Sequence, residues 1–120
     1  MLKKVLVVDD SVAETKLLQS FLVQGGYWPV GLNDPTRIEE TIEQEHPSLI
    51  LLDVVMPLRN GFQACRELKS QAAYQEIPVI LVTAKNAPSD RLWGQEQGAN
   101  GYVAKPFTPK ELLSEVAKFD

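Results

Sequence analysis

Among its 120 residues the chain has one cysteine, Cys65, and one histidine, His46. An internal disulfide is therefore excluded, and so is a metal site built from Cys and His ligands. Such cysteine usage suits a reduced, cytoplasmic setting. Positive charge is also in deficit: 12 Lys and Arg stand against 16 Asp and Glu, a net charge of −4. That balance gives no basic face for a nucleic-acid partner. No apolar run approaches the ~20 residues of a membrane span, so membrane insertion is not expected. Lys3 and Lys4 precede only four apolar residues before Asp9, too few for the core of a signal peptide. What remains is ordinary for a soluble protein, 44% apolar and 23% charged, with a length that suits one domain over residues 1–120.

The apolar pattern switches between short continuous runs and helical spacing. KVLVVD, SLILLD and PVILVT are rich in Val, Ile and Leu with little alternation, as parallel strands covered on both faces are. Weaker strands are expected at Trp28–Leu32 and Gly101–Ala104. Leu17, Leu18, Phe21 and Leu22 form one helical stripe, stopped by Gly25–Gly26. Asp34–Pro35 predicts a second helix with Asp34 as its cap, carrying Ile38 and Ile42 inward. A third follows Gly61 with Phe62, Cys65 and Leu68, and a fourth runs from Ser89 to Gln97 and stops at Gly98. Thr108-Pro109-Lys110-Glu111 is a capping box opening the last helix, which turns Leu112, Leu113 and Val116 inward. β-α repeated five times implies a doubly wound parallel sheet with right-handed crossovers. In such α/β sheets the ligand lies beyond the carboxyl ends of the strands, where strand order reverses.

The residues that end the strands are therefore informative. Asp9 and Asp10 end the first strand, Asp53 the third and Thr83 the fourth; Lys105, followed by Pro106, lies just past the fifth. Ser11 and Glu14 match a capping box and can cap the first helix by themselves, which leaves the two acids without a structural duty. Three carboxylates converging on one edge repel unless a cation or proton joins them. Hard oxygen ligands around a hydrated opening suit Mg²⁺, which keeps its waters and accepts phosphate oxygens. A hydroxyl and an ammonium nearby suit the other oxygens of a phosphoryl group, with an Asp as nucleophile.

That set, Asp9-Asp10, Asp53, Thr83-Ala84 and Lys105-Pro106, resembles the receiver domain of two-component response regulators, the CheY-like group. DVVMPLRNG, Asp53 to Gly61, matches the receiver pattern of a phosphorylated Asp, a Met-Pro pair and a Gly. The resemblance covers the chain from Val5 to the last helix. It implies a flavodoxin-like (βα)5 fold with strand order 2-1-3-4-5. It implies phosphorylation of Asp53 by a histidine kinase or phosphotransfer protein, with Mg²⁺ held by Asp10, Asp53 and the Val55 carbonyl and placed by Asp9 through water. Thr83 and Lys105 would contact the phosphoryl oxygens, and the Lys105–Pro106 bond would be cis. Tyr102 falls at the switch-aromatic position, whose ring turns inward as Thr83 moves. The stretch RLWGQEQGANGYVAKPF is similar to stand-alone receivers of twitching-motility and phototaxis chemosensory systems, the PilG/PilH kind.

Other residues read more plainly. His46 is expected on a surface loop and Cys65 in the packing of the third helix. Trp93 is expected to pack against a neighbouring helix; the rival reading joins it with Gln97, Tyr102 and Phe107 as a partner surface. Val55 and Lys85 flank the entrance to the phosphoryl group, and valine offers no hydrogen bond to an attacking water. The expected function is a switch that modifies only itself and acts by binding a downstream protein, as a monomer or weak dimer, or else a phosphate shuttle. The chain stops after its fifth helix, so no output domain of its own is expected. A Mg²⁺-dependent phosphatase of the haloacid-dehalogenase kind needs a second Asp two residues after the nucleophile, against Asp9-Asp10-Ser11 here. A flavin carrier lacks its Ser/Thr/Gly-rich phosphate loop after the first strand.

Overall fold

The Val-, Ile- and Leu-rich runs become the inner strands of a sheet buried on both sides, as β-branched residues favour. The computed structural model describes residues 2–120, with strands β1 (Lys4–Val8), β2 (Trp28–Leu32), β3 (Leu49–Leu52), β4 (Val79–Thr83) and β5 (Gly101–Ala104). All pairings are parallel, in the order β2-β1-β3-β4-β5. The intervening helices are α1 (Val12–Gln24), α2 (Ile38–Glu45), α3 (Gly61–Lys69), α4 (Pro88–Glu96) and α5 (Pro109–Ala117). This is the doubly wound parallel sheet expected from the alternation, in the flavodoxin-like strand order that the receiver resemblance implies.

Alternate residues of each strand feed opposite core layers, as the period of two requires. Leu6, Val8, Ile50, Leu52 and Leu81 meet Ile38 and Ile42 of α2 and Ala64, Cys65 and Leu68 of α3. Val5, Val7, Leu49, Leu51, Ile80 and Val82 meet Leu18 and Leu22 of α1 and Leu112 and Val116 of α5. Cys65 is fully buried, and burial pushes its thiol up to about 11, in keeping with a packing role.

Two helix details differ from the sequence expectation. Leu17 is 44% exposed, because Leu18 and Leu22, four residues apart, already face the sheet and Leu17 lies about 100° round the helix. Asp34 caps a single 3-10 turn, Pro35–Arg37, by accepting the Thr36 N–H at 3.0 Å, and α2 begins only at Ile38. His46 is exposed, as expected, and ends α2 in the left-handed conformation at φ 50°.

The outer edge of β2 is closed. Trp28 and Leu32 direct their backbone groups to β1, so Pro29 and Gly31 face outward. Pro29 has no N–H to offer. The Gly31 N–H is taken at 3.2 Å by the Gln19 side-chain amide, whose other end donates to the Thr15 carbonyl.

Candidate functional site

Strand order reverses between β1 and β3, and both strands end in aspartates. Val8 pairs with Leu52, and the Asp53 N–H donates to the Val8 carbonyl at 2.9 Å, so Asp9 and Asp53 emerge side by side. Asp10 joins them: one carboxylate oxygen from each of the three lies within 4.8 Å of the others. Asp9 and Asp53 are 1% and 8% exposed, whereas Asp10 opens to solvent. Lys105 Nζ reaches in from the end of β5, 2.9 Å from Asp9 Oδ2 and 3.6 Å from Asp53 Oδ2. The Lys105–Pro106 peptide bond is cis. Thr83 ends β4 fully buried, and its hydroxyl oxygen accepts the Lys85 N–H at 3.3 Å.

The loop after Asp53 is drawn tight beneath the site. Val54 N–H donates to Asp53 Oδ1 at 2.7 Å, and Gly61 N–H donates to the Val54 carbonyl at 2.9 Å. A Cβ on Gly61 would stand 2.1 Å from the Asp53 carbonyl oxygen, so only glycine fits. The receiver-like glycine is thus explained by a backbone approach.

Burial raises the Asp53 carboxyl above its ordinary value; Lys105 and backbone N–H groups oppose the rise, and the Asp9 charge adds to it. Lys105 is itself raised. Burial works against its charge, but the Asp9 hydrogen bond and the charges of Asp53, Asp9 and Glu14 outweigh it. One ammonium among several carboxylates leaves a net negative pocket of hard oxygens with an exposed side at Asp10. The donor set fits Mg²⁺ and does not fit a softer ion that prefers sulfur or imidazole.

The remaining candidates separate. Val55, at the mouth, is 60% exposed. Lys85 Nζ lies 3.9 Å from Asp90. The Tyr102 ring packs against the α3-side core layer, its hydroxyl donates to the Lys85 carbonyl, and the Arg91 guanidinium sits 4.9 Å from its centroid. Phe107 packs edge-on against Phe21, with ring centroids 6.0 Å apart. Trp93 is 47% exposed, which corrects the expectation that it packs into a helix interface. Gln97 is only 7% exposed at the end of α4, where its carbonyl faces the Cys65 thiol, so it is removed from the partner surface.

The expected α1 capping box forms only in half. Ser11 Oγ accepts the Glu14 N–H at 3.2 Å, but the Ser11 N–H goes to Asp9 Oδ1 at 2.9 Å. Asp9 therefore has a structural duty after all, and Glu14 Oε2 lies 3.7 Å from Lys105 Nζ. Arg59 is a second residue the sequence reading missed. Its guanidinium pairs with both oxygens of Glu39, at 2.9 and 2.8 Å, with Glu67 at 2.9 Å and with the Pro35 carbonyl at 3.0 Å. No local spacing reveals that contact, because its partners lie on other elements.

Residues 5–117 match the family described as the response regulator receiver domain. The chain is 40% identical over 114 residues to the probable transcriptional regulator ycf27 of Cyanophora paradoxa, spanning 95% of this chain and 46% of that one. It thus covers about half the length of the curated relatives it first matches. It is also 38% identical over 113 residues to protein PilH of Pseudomonas aeruginosa, covering 94% of this chain and 93% of the relative. In structure it resembles the chemotaxis protein CheY4 of Vibrio cholerae, with TM-score 0.92, 28% identity and both chains covered in full. A carboxylate pair, a third and buried Asp, a strand-end Thr and a Lys before a cis-proline thus occur on this fold together with a family match over almost the whole chain, and the chain belongs to the response regulator receiver family.

Proposed function

We propose that Asp53 accepts a phosphoryl group from a histidine kinase, or from a phosphotransfer protein, in a Mg²⁺-dependent reaction. The convergence of Asp53 with Asp9, Asp10 and Lys105 in one strand-end cleft carries this reading. Asp10, Asp53 and the Val55 carbonyl would hold the ion, with Asp9 helping to place it through water, and the ion would offset negative charge on the phosphoryl oxygens. An Asp53 carboxylate oxygen bonds to phosphorus as the donor's P–N bond breaks, and the histidine imidazole leaves with the electron pair. The Thr83 hydroxyl and the Lys105 ammonium bind the transferred oxygens.

The same reading makes Thr83 and Tyr102 the switch. As Thr83 turns to the phosphoryl group, the Tyr102 ring and the surface of α4, β5 and α5 change what they offer to a downstream protein. Trp93, Tyr102 and Phe107 belong to that surface. The protein works on itself and turns over no separate substrate, in the cytoplasm and as a monomer or weak dimer. A role in motility or taxis signalling is supported by the PilH relative and by the neighbour named as a chemotaxis protein.

Incubation with acetyl phosphate and Mg²⁺, followed by intact mass and tryptophan fluorescence, tests the reading. One added phosphoryl group, lost in Asp53→Asn and on removal of Mg²⁺, is the expected result. No added mass with any phosphoryl donor would overturn it.

A further inference from the structure

The chain contains the motif Ser/Thr-x-x-Glu at two helix starts, and the two copies behave differently. At α5 the box closes: Thr108 N–H donates to Glu111 Oε1 at 3.0 Å and Glu111 N–H to Thr108 Oγ1 at 3.1 Å. At α1 the return bond is missing, because Asp9 already accepts the Ser11 N–H. The Glu14 carboxylate is released from capping and turns to Lys105, 3.7 Å away. Its side chain is 39% exposed against 18% for Lys105, so it stands on the solvent side of that ammonium. Both residues line a 270 Å³ cleft beside the site, otherwise walled by Leu17, Ala84, Pro106 and Phe107. In apolar surroundings a charge acts over these distances with less screening than in bulk water.

We propose that Glu14 is a positioning residue for Lys105, holding its ammonium toward α1 and adding a negative charge at the rim that an incoming anionic phosphoryl donor must pass. This rests on the phosphoacceptor role of Asp53 given above. Lys105 is shared among Asp9, Asp53 and Glu14, and a phosphoryl group on Asp53 must compete with all three for it. Glu14 is the competitor that belongs neither to the metal set nor to the reacting group. Its charge slows phosphorylation by small anionic donors and favours a protein donor that brings a cationic side chain to the rim.

Glu14→Gln keeps the backbone N–H that Ser11 caps and removes only the charge. In phosphorylation by acetyl phosphate with saturating Mg²⁺, an Asp53 oxygen bonds to phosphorus while the P–O bond to the acetyl group breaks and acetate leaves as the anion. The variant should be faster by roughly threefold at low salt, the scale of one partly exposed charge. The gain should appear as a lower half-saturating donor concentration and fade as salt rises. The Lys105 side-chain ¹⁵N resonance should also move in Glu14→Gln. Ser11→Ala, which removes the cap and leaves the carboxylate, should lower the melting temperature without moving that resonance. Equal rates, equal salt dependence and an unmoved resonance in Glu14→Gln would overturn this proposal alone. Failure of both wild type and variant to gain a phosphoryl group would overturn the phosphoacceptor reading and this proposal with it.

Discussion

Gly61 is held against the backbone of Asp53 closely enough that a methyl group would collide with main chain rather than with a movable side chain. Gly61→Ala should therefore cost about 1–3 kcal/mol, the range of an overpacked core, and slow phosphorylation by displacing Asp53. Urea denaturation and acetyl phosphate labelling of the same variant check both effects. Val55, 60% exposed and two residues past Asp53, has no side-chain group that could hydrogen-bond a water approaching that carboxylate. Lys85 is turned toward Asp90 rather than left free at the entrance. Val55→Asn should thus speed loss of the phosphoryl group roughly tenfold, a barrier change of about 1.4 kcal/mol. An unchanged decay of the phosphorylated protein would remove that role from position 55. At this scale the sequence was most readable in position: Asp9, Asp53, Thr83 and Lys105 stand at the strand ends where the alternation of elements puts them. Glu14 was misread because its spacing satisfied a local motif, and only the fold shows that Asp9 occupies the bond the motif needed.

Among the elements, the β3–α3 loop is fastened from outside. Arg59 ties it to Glu39 of α2, to Glu67 of α3 and to the turn before α2, with the Arg side chain only 10% exposed. Replacing it with Gln should cost about 1–3 kcal/mol, the scale of hydrogen bonds between charged groups. The Arg59 hydrogen bonds hold the Glu39 carboxyl below its ordinary value, against its partial burial. A lowered folded value means that the contribution is complete above the unfolded carboxyl value of about 4.3 and is lost as pH falls through the folded one. Urea melts from pH 7 downward should show the gap between wild type and Arg59→Gln narrowing only below that value. Such long-range clamps leave no periodic trace. Helix faces do, yet with one-residue error: Leu17 and Leu18 are adjacent apolar residues, and only geometry decides that Leu18 enters the core. Gln97 and Trp93 show the same limit from the other side: Gln97, placed by the rival reading on a partner surface, is buried, while Trp93, expected to pack against a helix, is half exposed.

Over the whole molecule, the fold was legible because three apolar runs and two weaker strands alternate with five helical patterns, and a parallel sheet admits few orders for that alternation. The site follows from the same topology, which brings residues more than forty positions apart to one edge. Its charge has a cost for the folded state as a whole. Asp10 adds repulsion without an ion pair of its own among the described residues, so Asp10→Asn should raise stability by about 0.5–1 kcal/mol in metal-free buffer. Wild type should gain melting temperature with added Mg²⁺, and the variant should gain little; differential scanning calorimetry with and without chelator reads both. The closed edge of β2 bears on behaviour in crowded solution. A sheet that offers free N–H groups recruits strands from other copies, whereas Pro29 and the Gln19–Gly31 bond silence two successive outward positions. That side of the sheet thus offers an incoming strand no free N–H at these two positions.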